Sequence, residues 1–189
     1  MSISYHISYT ELGPVLVALT RGEIHFAHFG DSEPQLISLL RSTFDQEDIS
    51  PAFRAPTLDT AWIDALIELL VNGSPAAPTK SIVTRPRGTS FQRKVWAYLQ
   101  TIPTGEVLTY QDVARGIGNP LATRAVASAC AKNDIALLIP CHRIVRSDGS
   151  VGGYKWGVHR KRALLQSEQG APVTRASAFY QGINVTGDI

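Results

Sequence analysis

The chain has 189 residues, 44% of them apolar and 18% charged, with two cysteines. Such a composition can bury a core as one sizeable domain or two small ones. It excludes a disulfide framework, and no apolar run approaches the roughly 20 residues of a membrane-spanning helix. The net charge of +2 conceals an asymmetry: residues 1–80 carry four Lys/Arg against ten Asp/Glu, a net of −6, whereas residues 81–189 carry fourteen against six, a net of +8. An acidic half joined to a basic half points to a polyanion as the partner of the second. The opening MSISYHISYT has no basic region ahead of an apolar stretch, so a cytoplasmic protein is expected.

The first half alternates in the manner of strands. Residues 4–9, 14–20 and 23–29 are separated by Leu12-Gly13-Pro14 and Arg21-Gly22-Glu23, which predicts a meander of three strands. A helix is expected from about Glu33, capped by Asp31 or Ser32, with Leu36, Leu39, Leu40 and Phe44 on one face. Residues 45–56 read as a polar connection. A second helix over roughly residues 58–71 is expected to bury Trp62, Leu66, Leu69 and Leu70 before Asn72-Gly73 stops it. Residues 74–80, SPAAPTK, are the best linker by composition and coincide with the change of charge. The expected division is therefore 1–80, 81–170 and an aperiodic tail, 171–189. His6, His25 and His28 lack a ligand spacing and read as structural or surface residues. With no C-x-x-C or H-E-x-x-H, no metal site is expected.

The second half is mostly helical. Thr89 or Ser90 caps a helix to about Gln100 that turns Phe91, Val95, Trp96 and Leu99 inward. Thr109-Tyr110-Gln111-Asp112 has the form of a capping box and starts a short helix ending near Gly116 or Gly118. Asn119-Pro120 turns the chain into a helix over residues 121–132, the outline of a helix-turn-helix. That helix is nearly all small residues (Ala122, Ala125, Ala127, Ser128, Ala129, Ala131), with Arg124 near its start. Such a helix can approach a nucleic-acid groove closely, or simply pack tightly within the protein. A last helix, about residues 158–169, begins with Arg160, Lys161 and Arg162 against the helix dipole, which suggests a phosphate partner.

The most distinctive stretch lies between these helices. Leu137-Leu138-Ile139 reads as a short buried strand ended by Pro140 and followed by Cys141-His142-Arg143. Cationic neighbours bias a thiol toward the reactive thiolate, although a lone cysteine in an apolar run is also an ordinary packing residue. Successive strand residues point to opposite faces, so Cys141 and His142 cooperate only if the backbone turns at Pro140. Gly149, Gly152, Gly153 and Gly157 then allow a ligand close approach, with Tyr154 and Trp156 placed to wall a flat pocket. Cys130, mid-helix among alanines, reads as packing.

The runs IPCHRIV, G-x-x-G-Y-K-W-G and LLQSE, with GTSFQRKVW, IPTGEVLTYQDVA and GNPLATRAVASACAKND upstream, resemble the O6-alkylguanine-DNA alkyltransferases, nearest the bacterial adaptive-response and stand-alone forms, over about residues 85–168. The resemblance implies a ribonuclease-H-like α/β N-terminal domain and a mainly α C-terminal domain with a winged helix-turn-helix. It implies that Cys141, as thiolate, takes the alkyl group from O6 of guanine, with O4 of thymine as a further target, irreversibly, once, and without a cofactor. His142 then activates the thiol through a water and is oriented by Glu168, while Tyr110 donates toward guanine N3. Asn133 is the hinge between the recognition helix and the active-site turn. Arg124 replaces the flipped base in the stack, and Thr109, Tyr110, Ala125, Ala127, Ser128 and Ala131 face the DNA. Tyr154 lines the pocket, and the backbone at Ile144 and Lys155 reads the guanine edge; Trp156 departs from many animal members, which carry glycine there, and its bulk is expected to narrow the pocket in favour of methyl over benzyl adducts. The implied partner is double-stranded DNA carrying O6-alkylguanine, entered from the minor groove by a monomer in the cytoplasm, at the nucleoid. Two alternatives remain: a damage sensor or winged-helix regulator that binds without repair, disfavoured because sensor-type relatives lack the cysteine present here as Cys141, and a cysteine hydrolase that turns over repeatedly.

Overall fold

A computed structural model describes residues 2–52, 58–74 and 81–170. The end of the polar connection, the linker from residue 75 and the tail from residue 171 lie outside the described residues. The alternating pattern forms the expected meander: β1 (Ser2–Thr10), β2 (Gly13–Thr20) and β3 (Glu23–Phe29), paired antiparallel. Arg21 and Gly22 both take positive φ, 53° and 80°, which suits a tight hairpin turn. Central β2 is buried on both faces. Val15, Val17 and Leu19 enter one apolar cluster, whereas Leu16 and Ala18 enter another with Phe26, Leu36, Leu40 and Phe44. Burial of each such larger side chain contributes about 1.5–3 kcal/mol.

Two strands went unread in the sequence. Part of the polar connection is β4 (Asp48–Pro51), parallel to β1, and β5 (Val83–Thr84) runs parallel to β3, so the sheet order is β4-β1-β2-β3-β5. Helix α1 (Glu33–Thr43) buries Leu36 and Leu40 as expected, but Leu39 is 39% exposed, and its N-cap Ser32 makes no side-chain cap bond. Helix α2 (Thr60–Val71), capped by Asp59, is rotated from the expected face. It buries Ile63, Leu66, Ile67 and Val71, leaving Trp62, Leu69 and Leu70 half-buried.

In the basic half, capping boxes start α3 (Ser90–Leu99), from Thr89 and Gln92, and α4 (Tyr110–Gly116), from Thr109 and Asp112. The small-residue segment is α5 (Thr123–Ala131), and the final helix is α6 (Val158–Glu168). Val95, Trp96 and Leu99 face inward as expected, and the Trp96 indole donates to the Ala129 carbonyl at 2.9 Å. A two-stranded parallel pair joins β6 (Leu108–Thr109) to β7 (Ile144–Val145). The result is a mixed α/β fold in which one apolar cluster draws on both halves, from Val15 and Ile67 to Trp96, Ile139 and Leu164.

One tie places the site. Ala27 of β3 donates to the Asp134 carbonyl at 2.9 Å and accepts from the Ala136 amide at 2.7 Å, so residues 134–136 lie along the sheet like a fragment of a further strand. The Leu137-Leu138-Ile139 run is consequently not the strand its composition suggested. The Asn133 side chain brackets the stretch 135–139, accepting from the Ile135 amide at 2.9 Å and donating to the Ile139 carbonyl at 2.9 Å. The run winds into a turn with Leu137 at φ 67°.

Candidate active site

Pro140 leads into a 3₁₀ turn, Cys141–Arg143, whose three side chains are all buried. The backbone turns where cooperation of Cys141 and His142 requires it. Asn133, wholly buried, donates through Nδ2 to the Cys141 Sγ at 3.2 Å, so one amide fixes both the turn and the sulfur. His142 Nε2 lies 2.8 Å from Glu168 Oε1, at the last residue of α6. Arg143 completes the cluster from the other side, donating to Glu168 from Nε at 3.0 Å and from Nη2 at 2.8 Å, and to the Ile102 carbonyl at 2.6 Å.

These contacts set the protonation states. Burial alone would raise the Glu168 carboxyl, but the hydrogen bond and charge of His142 and the Arg143 guanidinium outweigh it and hold the group down at about 2. Burial pushes His142 below its ordinary value, so the imidazole is neutral. Facing a carboxylate, Nε2 is the protonated nitrogen, and Nδ1, buried and without a protein partner, keeps its lone pair. The Cys141 thiol departs from expectation: burial pushes it up, outweighing the Asn133 bond and the nearby Lys161 charge. Arg143 does not activate the sulfur, because it is turned into Glu168. The resting residue is a thiol, and deprotonation needs a base.

Cys141 opens onto a cavity of about 330 Å³. One wall is Tyr110, Ala127, Cys130 and Ala131; the other is Gly153, Tyr154 and Lys155. Burial raises Tyr110 to about 12, so its hydroxyl remains a donor. The Tyr154 hydroxyl is buried without a protein partner, and burial carries it well above its ordinary value. Cys130 packs in the core as expected and also lines this cavity, with burial raising its thiol far out of the reactive range. The helical spacing that puts Cys130 beside Ala127 and Ala131 was the signal that it faces the same way.

Other expected residues fall differently. Trp156 is not among the cavity's lining residues. Its ring stands edge-on to Tyr154 and to His28, each with centroids 5.1 Å apart, so the expectation that it narrows the pocket directly fails. Ile144 also lies off the cavity, fully buried, and its carbonyl accepts from the Lys161 ammonium. The side chains of Arg124, Ala125, Ser128 and Ala131 are exposed along one side of α5, while Ala127 is half-buried. Thr109 is half-buried, its hydroxyl held by Asp112 at 2.6 Å.

Two of the three cations at the start of α6, Arg160 and Lys161, are turned inward rather than toward a phosphate. Arg160, 8% exposed, donates to the carbonyls of Leu12, Trp156 and Gly30 at 2.8, 2.8 and 3.0 Å and pairs with Asp31. Lys161 is wholly buried, and burial brings its ammonium down to about 8. Both act as interior donors to backbone. No group of three or more His, Cys, Asp or Glu able to hold a metal exists among the described residues.

The family model for the 6-O-methylguanine DNA methyltransferase DNA-binding domain matches residues 90–170. The bifunctional transcriptional activator/DNA repair enzyme Ada of Escherichia coli is 41% identical over 168 residues, covering 89% of this chain and 46% of its own length. The chain thus spans about half the length of that relative. A methylated-DNA–protein-cysteine methyltransferase of Scheffersomyces stipitis is 32% identical, with 83% of this chain and 88% of its own covered. Among solved structures, Mycobacterium tuberculosis OGT in complex with DNA superposes with a TM-score of 0.74 at 26% identity, covering 95% of this chain and 100% of that one. On the matched sequence, its reach along a full-length relative and the shared fold, the chain belongs to the methylated-DNA–protein-cysteine methyltransferase family.

Proposed function

We propose that this chain repairs DNA by transferring an alkyl group from O6 of guanine, and from O4 of thymine, to Cys141 in a single irreversible turnover. The carrying observation is the line Glu168–His142 beside a buried thiol that opens on a cavity able to take a base. Glu168 orients His142, whose Nδ1 lone pair accepts the Cys141 proton through a water as sulfur attacks the alkyl carbon. The carbon–oxygen bond breaks, its electron pair stays on guanine, and Tyr110 donates to N3 where negative charge develops. A carbon–sulfur bond remains on the protein. Nothing in the cluster can hydrolyse a thioether, so Cys141 is spent.

The partner is double-stranded DNA, entered from the minor groove by the exposed face Arg124, Ala125, Ser128 and Ala131, with Arg124 filling the gap left by the extruded nucleotide. Small side chains let that face come close, and the net +8 of residues 81–189 favours the phosphate backbone. Asn133 acts as the hinge that holds the sulfur. Residues 1–80 form a ribonuclease-H-like scaffold, and residues 81–170 form the DNA-binding transferase unit, with α4 and α5 as its helix-turn-helix and a wing. The protein acts as a monomer in the cytoplasm.

Intact-mass analysis after incubation with an O6-methylguanine duplex tests the reading. One added methyl group, mapped to Cys141 and absent in Cys141→Ala, is the expected result. Binding without any mass gain would make the chain a damage sensor, and continued release of product beyond one equivalent would make it a hydrolase.

A further inference from the structure

Lys155 belongs to the cavity wall, yet its ammonium is tied elsewhere: 2.5 Å from Asp134 Oδ1 and 3.1 Å from the Asn133 carbonyl. The same Asp134 oxygen meets His28 Nε2 at 3.1 Å from the opposite side. His28 is 2% exposed, stacked on Phe26 at 4.1 Å and edge-on to Trp156. It is therefore an interior residue of β3 rather than a surface one. Asn133, next along, holds the Cys141 sulfur, and the Asp134 carbonyl is fixed by Ala27. One short segment thus carries the grip on the nucleophile and, one residue later, the grip on the opposing wall.

That wall needs a grip. Residues 153–155 lie between Gly152 and Gly157, both at positive φ (70° and 99°), where the backbone is least restrained by its own side chains. Tyr154 stands edge-on to His142 with centroids 6.4 Å apart, and the wall's other ties lead toward the N-terminal half, through Trp156 against His28 and the Trp156 carbonyl on Arg160. Lys155 supplies the ion pair that reaches the nucleophile's own segment.

We infer that the Lys155–Asp134 ion pair, backed by His28, is a latch that sets the gap between Tyr154 and Cys141 and so the size of alkyl group admitted. The inference rests on the alkyl-transfer function proposed above. Lys155 and Asp134 are positioning residues in this account: neither touches the reacting atoms, and both act through where Tyr154 stands.

The test compares single-turnover rates with two probes, free O6-benzylguanine and an O6-methylguanine duplex. In Lys155→Met and in Asp134→Asn the benzyl-to-methyl rate ratio is expected to rise by about tenfold, since ångström-scale displacement of a wall changes rates by such factors. The double variant should rise no further, because both changes open one latch, and Lys155→Arg should keep the wild-type ratio. A ratio is insensitive to the fraction of protein folded, so loss of stability alone does not move it. Lys155→Gln, read by the same ratio, stands in should Lys155→Met fail to fold. Ratios within twofold of wild type in the single variants, including no benzyl transfer by any of them, would overturn the latch while leaving the function intact. Additive effects in the double variant overturn it as well. A wild-type protein that takes alkyl groups from neither probe overturns the function and the latch together.

Discussion

Replacing Glu168 by Gln preserves shape and removes one charge, and the consequences follow from its three neighbours. The carboxylate accepts from His142, from Arg143 Nε and Nη2, and from the Gly105 amide at 3.1 Å. Its side chain is 2% exposed, so solvent screens little of this. The drop of its carboxyl from an ordinary 4.5 to about 2 corresponds to about 3 kcal/mol favouring the charged form in the folded state, at about 1.4 kcal/mol per pKa unit. A carboxyl lowered by folding stabilises above its unfolded value, and that stabilisation is lost as pH falls toward the folded one. Urea unfolding of the wild type and Glu168→Gln should therefore differ most at pH 7, with the ionisation-linked part shrinking to less than half by pH 3 by the same linkage. The catalytic effect is separate. Without the carboxylate, His142 loses the partner that keeps the proton on Nε2 and the lone pair on Nδ1. Single-turnover transfer should then slow by about 10²–10⁴-fold, the usual worth of a positioned base. A stability difference that does not vary with pH, or a transfer rate within threefold of wild type, would refute this account of the cluster.

Transfer should weaken in acid with a midpoint below the ordinary 6.5 of histidine, because burial lowers His142 and only the neutral ring accepts the Cys141 proton; a rate profile centred at or above 6.5 contradicts this. Arg160→Met should cost about 3 kcal/mol, roughly 1 kcal/mol for each of three backbone acceptors it leaves, with the salt dependence of DNA binding unchanged. A shallower salt slope with full stability would return Arg160 to the DNA surface. Arg124→Ala should reduce base extrusion, read by a fluorescent base analogue at the lesion, more than it reduces duplex affinity; equal losses would make Arg124 a phosphate anchor only.

The elements that the sequence reveals are those whose stability is local. The meander follows from alternation in residues 2–29, and the two capping boxes announce α3 and α4 through side chains that satisfy the first amides of their own helices. Elements held by partners distant in sequence were not legible. Strands β4 and β5 exist because β1 and β3 offer edges, and Val83–Thr84 is too short to show any period. The apolar run 137–139 looks like a strand until Asn133 is seen to hold Ile139 at its end and Ile135 just ahead of it. Arg160 and Lys161 look like surface cations because nothing in their own helix reveals the carbonyls of Leu12, Gly30 and Ile144 waiting for them. In the site, Cys141, His142 and Glu168 are legible from the resemblance; His142 and Glu168 do meet, with Cys141 beside His142 on the same turn. From the sequence Arg143 reads only as a charge and His28 only as a structural or surface residue. Their partners lie 25 and 106 residues away.

The pairing of Ala27 with the segment ahead of the active-site turn makes chemistry depend on alignment in a strand far upstream. An extra residue at the exposed Arg21-Gly22 hairpin tip would bulge outward harmlessly. An extra residue inside Glu23–Phe29 would exchange inward and outward side chains along the rest of the strand, swing the His28 ring off Asp134 and drag residues 134–136 with it. The acidic half is in that sense a mould for the loop of Cys141: a cast taken from a distorted mould loses its shape although every residue lining the cavity is unchanged.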